Sequence, residues 1–368
     1  MTVRRLGAAL MGLLLVAAAA CSGGDDDDGG AGADEGSGVE VPVDELLANL
    51  GTSVIVPAYA DLVTSLDELV AALDGWCAAP GPDGLDAART AWATAADAWQ
   101  RTRPVGVGPA MDRRLMSSVW YPARPEDVAE VLAGTEPITP ESLDAGSATT
   151  RGLAAVEILL FGPDADGATG ADQARRCAYA AAATTLAAGA AREVAGDWTG
   201  SATAPPYVDV LMAGIDGDPQ ASLAALVNEI AHALQTIDDQ GLRGIALAES
   251  PDDVPETQRD GPAGHRVADL RALLATIQAV VEGPTGDDGL SALVASRSVA
   301  TGERLDQALA AAVDTVGALP DSIPATLDAP DDLAAAAEDA GELKVVVSTE
   351  VASVLGITIG FSDADGDS

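Results

Sequence analysis

Near the middle of the chain, Arg151 to Gly162 (RGLAAVEILLFG) forms a helical run that is apolar around nearly its whole circumference and carries a single acid, Glu157. Leu153, Val156 and Leu160 recur at i, i+3 and i+7, while Ala154, Ala155 and Ile158 cover much of the remaining surface. A helix with so little polar face must be enclosed by other elements. An unpaired carboxylate buried there costs several kcal/mol or more, so Glu157 requires a cation, a metal or a proton. An arginine such as Arg151, Arg175 or Arg176 would meet that need without any functional role.

The rest of the chain supplies elements that can enclose such a helix. Among 368 residues, 48% are apolar but only 3% are aromatic, so the core must be built from Ala, Leu, Val and Ile. Alanine is the strongest helix former and lets helices approach closely, which predicts an all-α protein. Apolar periodicity predicts helices over 43–79, 85–103, 171–198, 220–242, 266–281, 288–319 and 331–355, with Pro57 kinking or splitting the first. Residues 104–150 read as short helices and loops. The Gly, Pro and Ser residues of 199–206 mark the best boundary in the folded part. The expectation is two packed helical bundles, 41–203 and 204–368.

Arg4 and Arg5 followed by the apolar run Leu6 to Ala20, ending in small residues before Cys21, have the layout of a lipoprotein signal over 1–20, the other reading, from Ala18 where leucine is usual, being an ordinary secretory signal. Cys21 is then the lipidated residue, and the glycine- and aspartate-rich 21–40 a flexible acidic tether. An exported, lipid-anchored protein of the cell envelope is expected. In an oxidising compartment Cys77 and Cys177 can pair, the other reading being two separate buried thiols. The formal net charge of −39, with Lys344 the only lysine, excludes nucleic-acid binding and charge-driven contact with anionic lipid. Acid excess with so little lysine is also the mark of a high-salt or GC-rich source. A monomer is expected.

RGLAAVEILLFG followed by RRCAYAAA resembles the signature region of the imelysin family of exported bacterial proteins. Further similarities run in order along the chain: PAYADL at Tyr59, AWATAADAWQ ending at Gln100, VGVGPAMDRR around Gly108, VWYP at Trp120, LQTIDDQGL near Gln235, and the terminal LGITIGFSDADGD. The resemblance implies an all-helical fold of two bundle-like halves with a site between them, metallopeptidase-like character, and a link to iron or haem uptake with envelope transport components as partners. The family's hallmark is G-x-H-x-x-E, whose His and Glu share a helix face and can bind one metal. Gly152 and Glu157 match it here, but the histidine position is Ala154.

A zinc hydrolase needs about three protein ligands, an open water position and a nearby base. The two histidines, His232 and His265, lie in no HExxH-like arrangement; a hydrogen-bonded helix role and a capping role describe them. An oxygen-rich site survives the loss of the histidine better. Glu157 with Glu249, the latter implied by the family resemblance, would hold a hard divalent or trivalent cation such as iron, with Arg151 as an alternative counterion. The terminal DADGDS lacks the glycine and glutamate of a complete calcium loop. The leading expectation is therefore a binding protein in iron or haem acquisition without catalysis. The alternatives are a metallopeptidase-like hydrolase and a degenerate scaffold acting only through a partner surface.

Overall fold

A computed structural model describes residues 41–163, 165–255, 261–286 and 288–360. The expected signal and tether, the lipidation site Cys21 and the DADGDS tail lie outside the described residues. Among the described residues all regular structure is helical, apart from an isolated bridge between Ile215 and Asp218.

The first predicted helix divides at Pro57. Helix α1 (Val43–Leu50) passes through a π-helical turn, Gly51–Ile55, into α2 (Val56–Ala78). Proline has no N–H for the preceding turn, and the wider turn accommodates its ring without breaking the axis. Val43–Ala78 is long and apolar enough to cross a membrane. Its large side chains nevertheless serve the core: Ile55, Tyr59, Leu62, Leu66, Leu69 and Leu73 form one stripe, each at most 1% exposed. A fully buried leucine contributes about 2 kcal/mol, largely offset by the entropy of ordering the chain.

That stripe packs on α3 (Pro82–Thr102) and on the long helix that follows the loop beyond Phe161. Between them the chain makes four short helices, α4 (Pro109–Asp112), α5 (Leu115–Val119), α6 (Pro125–Ala133) and α7 (Pro140–Asp144), and then α8 (Gly152–Phe161). The long helix is α9 (Gly170–Thr199). Ala180, Ala183, Ala187, Ala191, Val194 and Trp198 face inward from α9, offering small residues to the large ones of α2. The pair is antiparallel and fastened near both ends. Cys77 and Cys177 form a disulfide with Cα atoms 5.5 Å apart, and the Tyr59 ring stacks on Trp198 at 5.9 Å.

After the 199–206 break come α10 (Tyr207–Ala213), α11 (Pro219–Ile237) and α12 (Arg243–Ala246), the last two joined by a π turn. Helix α13 (Arg266–Glu282) then packs on α3. The predicted helix over 288–319 is in fact two, α14 (Leu290–Arg297) and α15 (Val299–Ala318). Ser298 is extended between them and accepts the Thr301 N–H, so capping chemistry ends one helix and starts the next within a continuous apolar pattern. The chain closes with α16 (Ile323–Leu327), α17 (Pro330–Val345), a π turn and α18 (Ala352–Leu355).

Helix α1 packs on α10 and α11, and α3 packs on α13, so early and late helices are interleaved. The described residues fall within one compact unit. Asp238, fully buried, is held there by Arg243 from its own end of α11–α12 and by Lys344 from α17.

Candidate functional site

Helix α8 lies against α3 and α9, and Gly152 is what allows it to start there. Its φ is +74°, and a Cβ would stand 2.6 Å from the Val119 carbonyl oxygen at the end of α5. Only glycine tolerates both conditions. The indole Nε1 of Trp92 on α3 donates to the Leu153 carbonyl at 2.8 Å, fixing the first turn of α8.

Glu157 is 8% exposed. Its Oε1 accepts the backbone N–H of Ala263 at 3.0 Å from the turn Gly261–Gly264, which is closed by Gly264 N–H donating to the Gly261 carbonyl. Gly261 lies so close that a Cβ there would come within 2.1 Å of Oε1. Thus the GPAG turn presses bare backbone onto the carboxylate, and the next residue, His265, reaches the same region.

His265 Nε2 lies 2.9 Å from Oδ1 of Asp97 on α3, and its ring stands edge-on to Trp92 at 5.6 Å. Burial by itself would lower its pKa. The hydrogen bond to Asp97 and the charges of Asp269, Asp97 and Glu157 outweigh that, and the net shift is upward. Asp269, one turn further along α13, is 6% exposed, and its Oδ1 has no hydrogen-bond donor among the described residues. Burial pushes its pKa to about 6, against the pull of the His265 and Arg266 charges and a hydrogen bond from Gln100.

Three helices therefore each present one residue pair at helical spacing: Asp97 with Gln100, His265 with Asp269, and Ala154 with Glu157. The result is a histidine held among three carboxylates, an arrangement suited to retaining a proton. Among the described residues no group of three or more His, Cys, Asp or Glu is placed to hold a metal. Glu157 Oε1 already accepts from the Ala263 N–H, and His265 Nε2 is paired with Asp97.

Glu157 lies in a buried helix, as its sequence setting requires. Glu249 stands exposed on the turn beyond α12. Arg151 is not the counterion: it donates to the Ser117 carbonyl at 3.0 Å and to Asp144 Oδ1 at 2.8 Å. The reason is angular, since side chains six apart on a helix diverge and only i+3 and i+4 positions meet. Arg175 turns to the carbonyls of Val131, Leu132 and Glu136. Arg176 donates to the Leu159 carbonyl. His265 does more than cap α13, and Asp97 and Asp269 were missed. Asp269 had a readable signal: it is an acid within the apolar face formed by Val267, Leu270, Leu273 and Leu274.

The imelysin (peptidase M75) family model matches residues 55–347. Iron-regulated protein A of Synechococcus elongatus is 23% identical over 288 residues, covering 75% of this chain and 76% of that protein. Two crystal structures share the fold. An imelysin-like protein from Psychrobacter arcticum 273-4 superposes with a TM-score of 0.70 at 22% identity, covering 88% of this chain and 100% of that one. A candidate iron-regulated protein A precursor from Parabacteroides distasonis ATCC 8503 gives 0.74 at 16% identity, covering 87% of this chain and 98% of that one. The family model spans the disulfide, the Glu157 helix and the His265 turn alike, and the chain belongs to the imelysin family.

Proposed function

We propose that this protein is a non-catalytic binding protein of the cell envelope that serves iron or haem acquisition, anchored through Cys21. The observation that carries the non-catalytic part is the state of the motif helix. Ala154 occupies the histidine position, and the remaining motif carboxylate is engaged by the Ala263 N–H beneath a glycine turn. A hydrolytic site requires an open position for water, and this carboxylate is covered. The iron part is supported by the names of the relatives, two of which are iron-regulated proteins.

The test is calorimetric titration of the purified protein with ferric iron, ferrous iron and haem, beside Glu157→Ala. Saturable binding that weakens in the variant supports the reading; equal or absent uptake by both proteins overturns it. Cation binding at Glu157 would also have to release the Ala263 N–H and disturb the His265–Asp97 bond, visible as shifts in both residues' NMR signals. Chelator-sensitive cleavage of a peptide library, enhanced by zinc in Ala154→His, would establish the hydrolase alternative.

A further inference from the structure

A cavity of about 410 Å³ lies between the C-terminal end of α3, the short helices α4 and α5, and α11. Its rim is apolar and unusually exposed. Met111 is 62% exposed, Met116 53% and Tyr121 39%, so half of the six large apolar side chains exposed among the described residues line this one opening. Exposed apolar groups gathered at the mouth of a concave site mark a place where an apolar body docks, and methionines adapt to its shape.

The inner wall is polar and charged. Arg103 contributes a guanidinium whose one hydrogen bond among the described residues is to Gln100 Oε1, at 3.2 Å. Five guanidinium N–H groups are available in all, so donors remain for a planar anion. Glu229 and His232, at i and i+3 on α11, line the same cavity, and Gly106 brings bare backbone close to Glu229: a Cβ there would stand 3.6 Å from its Oε2 and 3.2 Å from the Arg103 carbonyl oxygen. Arg114 adds a second cation at the rim. Among the described residues it is one of two non-glycine residues with positive φ (51°, left-handed) and has no ion pair. Burial and the Arg103 charge lower the His232 pKa, so its ring is neutral at pH 7. Two arginines against one glutamate leave the pocket with a local charge of +1, in a chain whose formal net charge is −39.

The geometry points to a binding site for a small organic monocarboxylate with an apolar body, its acid group on Arg103 and its body under Met111, Met116 and Tyr121. The site adjoins the His265–Asp269 cluster through Gln100, which bonds Arg103 on one side and Asp269 on the other, but it does not depend on the iron reading. One anionic charge neutralises the pocket, and its size lies within the range that encloses small ligands. Both a flexible acyl acid and a flat aromatic acid belong to this class.

The test is isothermal titration of the full chain with decanoate, 2-naphthoate and the neutral control 2-naphthamide. At least one acid is expected to bind saturably below millimolar concentration, with 2-naphthamide weaker by about tenfold or more. Arg103→Gln is expected to remove the acid's advantage while leaving amide binding unchanged. Met116→Glu, on an exposed side chain and so compatible with folding, is expected to weaken both acids by about tenfold through charge repulsion and loss of apolar contact. Decanoate binding alone identifies an acyl ligand and 2-naphthoate binding alone an aromatic one. Absence of saturable binding by either acid, equal affinity for acid and amide, or full binding by Met116→Glu would overturn the assignment.

Discussion

The imidazole Nε2 of His265 lies 2.9 Å from the carboxylate of Asp97, across 168 residues of sequence. This bond joins the start of α13 to the C-terminal part of α3 and sits at the edge of Trp92, which in turn holds the first turn of α8. Through it the motif carboxylate, the GPAG turn and the α3–α13 contact become one structure.

The His265 pKa is raised, so the stabilisation from this bond is complete below the ordinary histidine value of 6.5 and is lost as pH rises through the folded pKa. Asp97→Asn is expected to lower the His265 pKa in an NMR titration. In urea unfolding it should cost about 1 kcal/mol at pH 5.5 and markedly less at pH 8.5.

Asp269 carries the opposite chemical type but the same sign of pH dependence. Its folded pKa of about 6 lies above the ordinary 3.8, so the native state binds the extra proton and stability falls as pH rises through that interval. Two pKa units correspond to roughly 3 kcal/mol. Asp269→Asn, which keeps the shape and removes the charge, should raise the urea midpoint at pH 8 and leave it nearly unchanged at pH 4.

The Cys77–Cys177 bond closes a loop with a sequence separation of 100 residues. Reduction, or Cys77→Ser, is expected to destabilise the protein by about 2–5 kcal/mol, read as a lower guanidinium midpoint. The α2–α9 pair should remain helical by circular dichroism, because the stripe of buried leucines is independent of the bond.

Gly152 and Gly75 test backbone conformation against helix propensity. At Gly152 a positive φ and the Val119 carbonyl oppose any Cβ, so Gly152→Ala should cost about 1–3 kcal/mol and loosen the start of α8. Gly75 lies inside α2 with nothing within 4 Å of a Cβ, and Gly75→Ala should raise the melting temperature slightly, by about 0.4–1 kcal/mol of stability.

Much of the fold was legible because each helix writes its own periodicity. The stripe from Ile55 to Leu73 and the alanine face of α9 are local patterns, and they gave fold class and most helix ranges. The split at Ser298 was less visible, since one serine's capping bond competes there with a continuous apolar pattern. The candidate site was legible only in part. Glu157 stands out as the lone acid of a buried helix, but charge demand names no partner, and Arg151 and Glu249 were offered by proximity in sequence and by family resemblance.

Sequence alone determined that this chain makes close-packed helices from alanine and aliphatic residues, and that α8 must be enclosed with its acid satisfied, because composition and helical spacing act over one or two turns. Tertiary structure decided what satisfies it. The Ala263 N–H of the GPAG turn meets Glu157, and His265 meets Asp97, only once α3, α8 and α13 are packed together, and hydrogen bonds and desolvation depend on distances in space that no local pattern records.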